Sequence, residues 1–551
     1  MSKNKIIALS DIHIGTNVPT VWYQKDIHER YLVKVLDWII QNASSIRELI
    51  LLGDVVDFWT YPPDQEPPSF DAIMAANLNI FGPNGKLSEV LTALDGKVTY
   101  VRGNHDMTIT QEDLDKIQNS KGYKVQLAPE DIYYPLGNSN KKIACTHGHI
   151  YTMFNAPYMP DSGAINPIAP LPLGQLITRS VAFMRSKEIQ PGQTVAQFKD
   201  SGDPDNQALL SSALPEVIKA FQNPNLPISG IIIDTISNLT GMAKTQSIKL
   251  AGGKATTLEE GKKIYADLWS NWQKKEGKST AIKSILADTA LHDGFLGWFA
   301  QKLAQDVGAE LVVMGHTHKP ISGIVNSPIN YVNTGFNCPS TVDLGNKNAT
   351  FVQIDIEACQ AEILQVIKEN GSYNIKPCPA EPVDNKTELQ IGEYTIKLNF
   401  DLNTALDQII KFATSDRTYI VEVANKTKYE LQCVGAKNNS GEWTLGDIPA
   451  NTSIPLEVDS NRVTNTFSFG GNYRVKGGSG FIQLAASWPS VGIRKIAVGS
   501  INQDGDAPAE KVWADMNDSS DKFCSNDSVE VRAFITGKGK TIIWFYEVTE
   551  R

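Results

Sequence analysis

Leu49-Ile50-Leu51-Leu52-Gly53-Asp54-Val55-Val56-Asp57 is an apolar run that stops at a glycine and delivers two carboxylates three residues apart. Four other stretches repeat the design. Ile6-Ile7-Ala8-Leu9 leads to Asp11-Ile12-His13, and Val98-Thr99-Tyr100-Val101 to Gly103-Asn104-His105-Asp106. Ile143-Ala144-Cys145 leads to His147-Gly148-His149, and Leu311-Val312-Val313-Met314 to Gly315-His316-Thr317-His318. Short apolar runs rich in β-branched residues and ended by glycine or polar residues read as buried strands. Each polar cluster then falls on a loop at a strand's C-terminal end, where ligand sites of open α/β sheets form.

Taken singly, an Asp-x-His is as readily a helix N-cap, and a Gly-Asp after an apolar run is ordinary turn chemistry. Five clusters in one order make a site instead. Their carboxylates, imidazoles and amide suit Mn, Fe, Zn or Co rather than thiolate-loving ions. Two such ions roughly 3.5–4 Å apart share a bridging carboxylate, clamp a phosphate and lower the pKa of a bridging water toward about 7. Phosphoester hydrolysis needs that combination.

The ordered set D-x-H, G-D-x-x-D, G-N-H-D, a lone H and G-H-x-H resembles the calcineurin-like metallophosphoesterase superfamily over roughly residues 5 to 356. The resemblance implies a four-layer α/β/β/α core. It also implies a binuclear metal-dependent phosphoric ester hydrolase that cuts a phosphomonoester, phosphodiester or pyrophosphate by attack of metal-bound hydroxide. Carried over by residue, it makes Asp11, His13 and His318 ligands of a first divalent ion and Asp54 the bridging carboxylate. Asn104, His147 and His316 would hold the second ion. His105 stands in the place of the catalytic histidine that serves the leaving group, with Asp106 orienting its ring. Asp57 falls outside the ligands, as a partner that fixes an imidazole tautomer. Some branches carry Tyr at that place and bind a ferric ion through it; this chain has Asp57. His149 is open between turning inward and satisfying a backbone carbonyl. His28 and His292 read as surface residues.

The family's protein Ser/Thr phosphatases carry GDxVDRG and GNHE, whereas Phe58-Trp59 follows Asp57 here and Asp106 follows His105. That departure argues against a phosphoprotein substrate. The run from Leu51 to Trp59, with Gly315-His316-Thr317-His318-Lys319-Pro320, is similar to the branch that includes UDP-2,3-diacylglucosamine pyrophosphohydrolases. A large insert and an added domain depart from those compact enzymes. Nucleotides, cyclic nucleotides, phospholipids and, for a nuclease, nucleic acid stay open as substrates.

At 551 residues and 41% hydrophobic, the chain is long enough for two or three domains. A net charge of −10 argues against extensive nucleic-acid binding. Met1-Ser2-Lys3-Asn4-Lys5 runs straight into the strand at Ile6, no apolar run has bilayer length, and six cysteines form no CxxC pair. These features predict a cytoplasmic protein with reduced thiols, signal-independent export staying open.

The first 150 residues alternate strands with helical stretches such as Tyr31–Gln41, the rhythm of a layered α/β domain. We expect a metallophosphoesterase domain over 1–368, with a largely helical cap inserted at about 155–306. The cap opens on a Pro-rich segment, Asn155 to Gly174, and shows helical spacing at Gln207–Phe221, Leu258–Lys275 and Thr280–Asp306. Arg179, Arg185 and Lys187 are either cations for a substrate phosphate or a solvated helix face. Tyr151, Phe154, Tyr158, Phe183, Phe295, Trp298 and Phe299 either line an apolar channel or form the cap's core, and core is favoured. Ile329–Phe336 reads as a further strand, after which Ala349–Ile356 and Ala361–Ile367 complete a second sheet, followed by a linker at 369–389.

Residues 390–551 read as an all-β, sandwich-like accessory domain. Its expected strands are Tyr419–Val423, Phe467–Phe469, Phe481–Ala486, Lys495–Val498, Val529–Ile535 and Thr541–Val548, after one helix at Asn403–Ala413. The pattern faintly resembles lectin-like or membrane-binding sandwiches such as aegerolysins and actinoporins. Trp443, Tyr473, Trp488 and Trp513 are either a platform for a glycan or lipid surface or part of the core, core being the safer reading. The alternative function is therefore a glycan- or membrane-binding effector with the phosphoesterase as one arm.

Overall fold

The structure, a computed structural model, describes residues 3–158, 171–195, 210–213, 217, 228–289, 292–325, 327, 329–336, 349–383, 386–391, 394–399, 418–458, 467–488, 493–536 and 541–551. It divides into one unit of Met1–Ala220 and Asn225–Asn385 and a second that takes Lys386–Arg551.

The strands of the first unit, in chain order, begin with β1 (Lys5–Leu9), β2 (Ile46–Leu52), β3 (Val98–Val101), β4 (Gln126–Leu127), β5 (Ile132–Tyr133) and β6 (Ile143–Thr146). Next come β7 (Ile248–Lys249), β8 (Ala255–Thr256), β9 (Leu311–Met314), β10 (Ile321–Ile324) and β11 (Asn330–Asn333). The last are β12 (Phe351–Asp355), β13 (Gln360–Glu369), β14 (Ser372–Pro377) and β15 (Glu381–Val383). Two sheets form the core, one ordered β14-β13-β12-β1-β2-β3-β4 and the other β15-β10-β11-β9-β6-β5.

Successive side chains on a strand point to opposite faces, so a strand covered on both sides must be apolar at every position. Four of the five runs meet that demand, and the fifth, Val98–Val101, has one polar residue, Thr99, whose hydroxyl donates to Glu48. Ile6, Ala8, Ile50, Leu52, Ile143, Cys145, Leu311 and Val313 share one cluster between the sheets. Ile7, Leu9, Leu49 and Leu51 face the other way, onto Leu32, Val35, Leu36 and Ile39 of the helix Lys25–Gln41 and onto Leu87, Val90 and Leu91 of the helix Lys86–Ala93. Val312 and Met314 pack on Ala300, Leu303 and Ala304 of the helix His292–Val307. Each fully buried Ile or Leu contributes about 1.5–3 kcal/mol, so these clusters hold the four layers together. The fold is the expected α/β/β/α arrangement.

Several details differ from expectation. β12 and β13 do not complete the second sheet: β12 pairs antiparallel with β1, and β13 with β12, so both extend the first. An alternating pattern marks a strand but not its partner. The expected linker also supplies structure. β14 continues the first sheet beside β13 and sets the Tyr373 ring 4.9 Å from that of Tyr31, while β15 pairs in parallel with β10. The first unit therefore runs to Asn385 rather than 368.

Within the insert the described helices are Leu173–Glu188, Ile228–Thr240, Leu258–Ile264 and Leu268–Leu286, with β7 and β8 as a small hairpin. The stretch expected as one helix over Leu258–Lys275 breaks where the buried Tyr265 turns inward and its hydroxyl donates to Leu171 O at 2.8 Å. Thr280–Asp306 also splits, and its second half, the helix His292–Val307, is the outer layer of the second sheet rather than part of a cap. Most of Gln207–Phe221, and much of the segment from Asn155 to Gly174, lie outside the described residues. Phe154, Tyr158, Phe295, Trp298 and Phe299 are buried, and Tyr151 stacks on Phe299 at 5.0 Å.

The second unit begins with the hairpin β16 (Lys386–Ile391) and β17 (Tyr394–Asn399). Its later strands are β18 (Thr418–Asn425), β19 (Glu430–Ser440), β20 (Thr452–Val458), β21 (Phe467–Lys476), β22 (Phe481–Trp488), β23 (Lys495–Gly499), β24 (Lys522–Ser525), β25 (Val529–Thr536) and β26 (Thr541–Glu550). A five-stranded sheet, β20-β18-β26-β25-β24, and a four-stranded one, β19-β21-β22-β23, enclose a core that includes Val421, Phe467, Tyr473, Leu484, Val531 and Trp544. This is a sandwich of strands. Trp443 and Tyr473 belong to its core, the indole N–H donating to the Tyr473 hydroxyl at 2.9 Å, so these two form no surface platform. Trp513 is half-buried, its N–H donating to Ser468 Oγ at 2.8 Å. It lies on a helix, Asp506–Ala514, that the sequence pattern did not suggest. The helix expected at Asn403–Ala413 lies outside the described residues. No helix among the described residues is long and apolar enough to cross a membrane.

Candidate metal centre

All five polar clusters arrive together because β1, β2 and β3 run parallel in one sheet, and β6 and β9 run parallel in the other. Short backbone bonds then join loop to loop. Asp11 N–H donates to Gly53 O at 3.1 Å, His13 N–H to Asp54 O at 2.8 Å, and Gly315 N–H to His147 O at 3.0 Å. Asp11, His13, Asp54, His316 and His318 all adopt positive φ, between 52° and 73°. Such non-glycine conformations cost free energy and cluster at functional sites. Gly53, with φ 83°, fits because a Cβ there would lie 2.7 Å from both Gly103 N and the His147 ring.

The carboxylates divide their oxygens between scaffold and site. Asp54 Oδ1 accepts from His105 N–H at 2.7 Å, while Oδ2 faces His147 Nε2 at 3.2 Å and His13 Nε2 at 3.7 Å. Asp11 Oδ1 accepts from His316 N–H at 2.8 Å and lies 3.7 Å from His318 Nε2. His13 Nε2 and His318 Nε2 are 3.1 Å apart.

Tautomers follow from the outer contacts. His147 Nδ1 donates to Leu52 O at 2.9 Å, which turns the Nε2 lone pair inward. Asp57 Oδ2 takes the Nδ1 atoms of both His13, at 2.9 Å, and His105, at 3.1 Å. Its Oδ1 accepts from the N–H groups of Trp59 and Thr60 at 2.7 and 3.0 Å.

The electrostatics match a buried cation site. Burial raises the Asp11 carboxyl. Burial also acts to raise Asp54 and Asp57, but the neighbouring imidazoles outweigh it and hold both low. His147 resists its own burial because Asp54 faces it, and it is pushed up to about 9. The field that favours a proton on Nε2 favours a divalent cation there. Burial and neighbouring imidazoles keep His316 and His318 well below the usual histidine range, so both offer lone pairs.

Ligand atoms of Asp11, His13 and His318 gather within 4.8 Å of one another, as do those of Asp54, His147 and His316. Those of His13, Asp57 and His105 also cluster. Asn104 Oδ1 is buried without a hydrogen-bond partner among the described residues, and such an orphan is costly unless a ligand satisfies it. The donor set of carboxylate, neutral imidazole and amide oxygen fits divalent metal ions.

His105 is held edge and face. Asp57 meets its Nδ1, and the Trp59 and Trp22 rings lie 4.6 and 5.0 Å from it. Asp106 does not orient this ring as expected: its oxygens accept from Gly103 N–H, Val55 N–H and the Tyr100 hydroxyl at 2.6, 2.9 and 2.5 Å. Asp106 thus ties the loop after β3 to the loop after β2, and burial beside the Asp54 charge raises it to about 6.

Other expectations change with the fold. Arg179 is buried, and its Nη2 donates to Pro62 O at 2.9 Å, Gln65 O at 2.6 Å and Lys249 O at 3.0 Å, so it ties these chain segments together, while its Nε and Nη1 have no partner among the described residues. Arg185 pairs with Glu188 one turn along its helix. Lys187 lies over the Phe183 ring at 3.7 Å. His28 is buried rather than on the surface, its Nδ1 accepting from Gln24 N–H at 2.8 Å. The side chain of His292 lies outside the described residues. His149 is buried with neither ring nitrogen partnered among the described residues, and burial drops it to about 3. It does not satisfy a backbone carbonyl there.

Some contributors escaped the sequence reading. Trp22 lies 4.6 Å from the His13 ring and 5.3 Å from that of His318, with nothing in its surroundings in sequence to mark it. Asn333 Nδ2 donates to Gly315 O at 2.6 Å, pinning the last loop, and its place at the end of a polar strand turn was the available signal.

The family model described as calcineurin-like phosphoesterase matches residues 4–180. No curated protein matches the chain. Among solved structures, the lipid binding protein Nakanori is similar at 11% identity over 26% of this chain and 76% of its own, with a TM-score of 0.21. Residues 4–180 are thus similar to the calcineurin-like phosphoesterases, and the two core sheets bring together groups of aspartate and histidine that could hold metal ions.

Proposed function

We propose that the protein is a binuclear metal-dependent phosphoesterase that acts on a small phosphodiester or pyrophosphate. The observation that carries this reading is Asp54 Oδ2, which stands between His147 Nε2 at 3.2 Å and His13 Nε2 at 3.7 Å. One carboxylate oxygen is thus shared by two sets of ligands, Asp11, His13 and His318 on one side and Asn104, His147 and His316 on the other. Paired divalent ions in such a site offset the charge of a phosphate and supply hydroxide at neutral pH. Metal identity among Mn, Fe, Zn and Co is open to the same donor set.

The chain's own residues do the rest. Asp57 accepts from His105 Nδ1–H, so that a second proton on the ring sits at Nε2, toward the leaving-group oxygen. Trp22 and Trp59 flank that ring and keep water from its faces. Asp106 holds the loop that carries His105.

The test is hydrolysis of bis-p-nitrophenyl phosphate and p-nitrophenyl phosphate by metal-stripped protein reloaded with Mn, Zn, Fe or Co. Metal-dependent turnover with the diester preferred is the expected result. Asp54→Asn should lose metal and activity together, and full activity with two bound ions in that variant would refute the shared carboxylate.

A further inference from the structure

Asn104 is buried in the loop after β3, and the two ends of its amide face different surroundings. Nδ2 meets Asn155 Oδ1 at 3.4 Å, while Oδ1 has no hydrogen-bond partner among the described residues. An amide turns end for end at little steric cost, so something else must decide which end faces the metal centre. Asn155 carries that decision one step outward. Its Nδ2 donates to Asp288 Oδ1 at 2.7 Å, and Asp288 Oδ2 accepts from Phe154 N–H at 2.8 Å. Asp288 is buried just past the helix Leu268–Leu286, within the inserted element.

Both Asp288 oxygens are acceptors in these contacts, one from Asn155 Nδ2 and the other from Phe154 N–H. Facing Asp288, Asn155 must present its NH2 group, which turns its carbonyl toward Asn104. Facing that carbonyl, Asn104 must present its own NH2 group, which leaves Oδ1 for the site. We propose that Asp288 is a positioning residue which, through Asn155, sets the polarity of the Asn104 amide so that oxygen faces the second cation. The inference rests on the two-metal reading above.

Gly174 belongs to the same device. Its N–H donates to Phe154 O at 2.6 Å, and a Cβ there would run into Asn155 Oδ1. The first turn of the helix Leu173–Glu188 thus closes over Asn155 only as glycine. The insert, by this account, contributes to metal binding without supplying a ligand.

Asp288→Asn keeps the size of the side chain and an acceptor for Phe154 N–H, but turns an NH2 group toward Asn155 and so reverses the relay. Gly174→Ala crowds Asn155 while leaving the carboxylate in place. The experiment titrates metal-stripped full-length protein with Mn2+ by calorimetry, with circular dichroism and thermal unfolding as a check on folding. Wild type should take up two ions. Asp288→Asn should bind the first as wild type does and the second roughly 10–100-fold more weakly, the usual effect of losing a partner that orients a ligand. Raised Mn2+ should restore its hydrolysis of bis-p-nitrophenyl phosphate, and Gly174→Ala should move in the same direction. Two ions bound with wild-type affinity by folded Asp288→Asn would overturn the proposal and leave the phosphoesterase standing. If that variant does not fold, unchanged second-ion affinity in Gly174→Ala overturns it instead. Wild-type protein that takes up no second ion would overturn both readings.

Discussion

Asp57 meets two imidazoles with one oxygen and two backbone N–H groups with the other, so it stays ionised in spite of burial. Removing the ring that it holds isolates the proton-transfer role from the metals. His105→Ala should therefore keep two ions and turn over more slowly by roughly 10²–10⁴. The defect should shrink as the leaving group improves, and equal losses on good and poor leaving groups would show that His105 donates no proton. At the other end of β2, Glu48 is buried with Thr99 Oγ1 and Tyr133 hydroxyl both donating to Oε1, at 2.5 and 2.7 Å. Burial raises its carboxyl in spite of those two donors. Below the ordinary glutamate range both folded and unfolded chains are protonated. As pH rises, the unfolded chain ionises first, so the stability linked to this group is lost as pH passes through the raised folded value. Glu48→Gln keeps the acceptor and cannot ionise. Its melting temperature should gain on wild type more at pH 7 than at pH 4, and equal gains at the two would count against this account.

At the scale of elements, the turn after β2 is the tightest constraint. Gly53→Ala places a methyl group 2.7 Å from Gly103 N and from the His147 ring, at a φ of 83°. Left-handed strain and overpacking together should cost roughly 2–4 kcal/mol. Thermal unfolding and metal counting should show a less stable protein with fewer ions bound; wild-type values for both would refute the steric argument. The strands that carry the site were legible because burial on both faces leaves Leu49 to Leu52 and Leu311 to Met314 no room for polar residues. The loops were legible because five of them recur in order. Which carboxylate meets the His105 ring was not: Asp57 and Asp106 are both plausible from spacing, and the choice falls to the bridge between Ile14 and Val56, which brings the loop after β1 beside the one after β2. Nor did charge alone reveal that Arg179 is buried among three carbonyl groups. Sheet membership of β12 and β13 was hidden for a similar reason, since period-two alternation carries no record of the neighbouring strand.

At the scale of the whole molecule, the boundary at Asn385 makes a sharp prediction about where the chain can be cut. A piece of residues 1–385 keeps all five loops, both core sheets and the edge strands β14 and β15, and should fold and hydrolyse bis-p-nitrophenyl phosphate. A piece ending at Glu369 loses the pairing of β14 with β13 and the packing of Tyr373 on Tyr31, and should melt at a lower temperature. Equal melting temperatures would show that those edge strands add nothing to the first unit. Beyond any single assay, the left-handed backbone at Asp11, His13, Asp54, His316 and His318 sets catalysis against folding. An L-residue holds that conformation at a cost, and glycine would hold it more cheaply. Random change under selection for stability alone would therefore wear these five positions away first, and a descendant that had lost its chemistry would fold more readily than its ancestor.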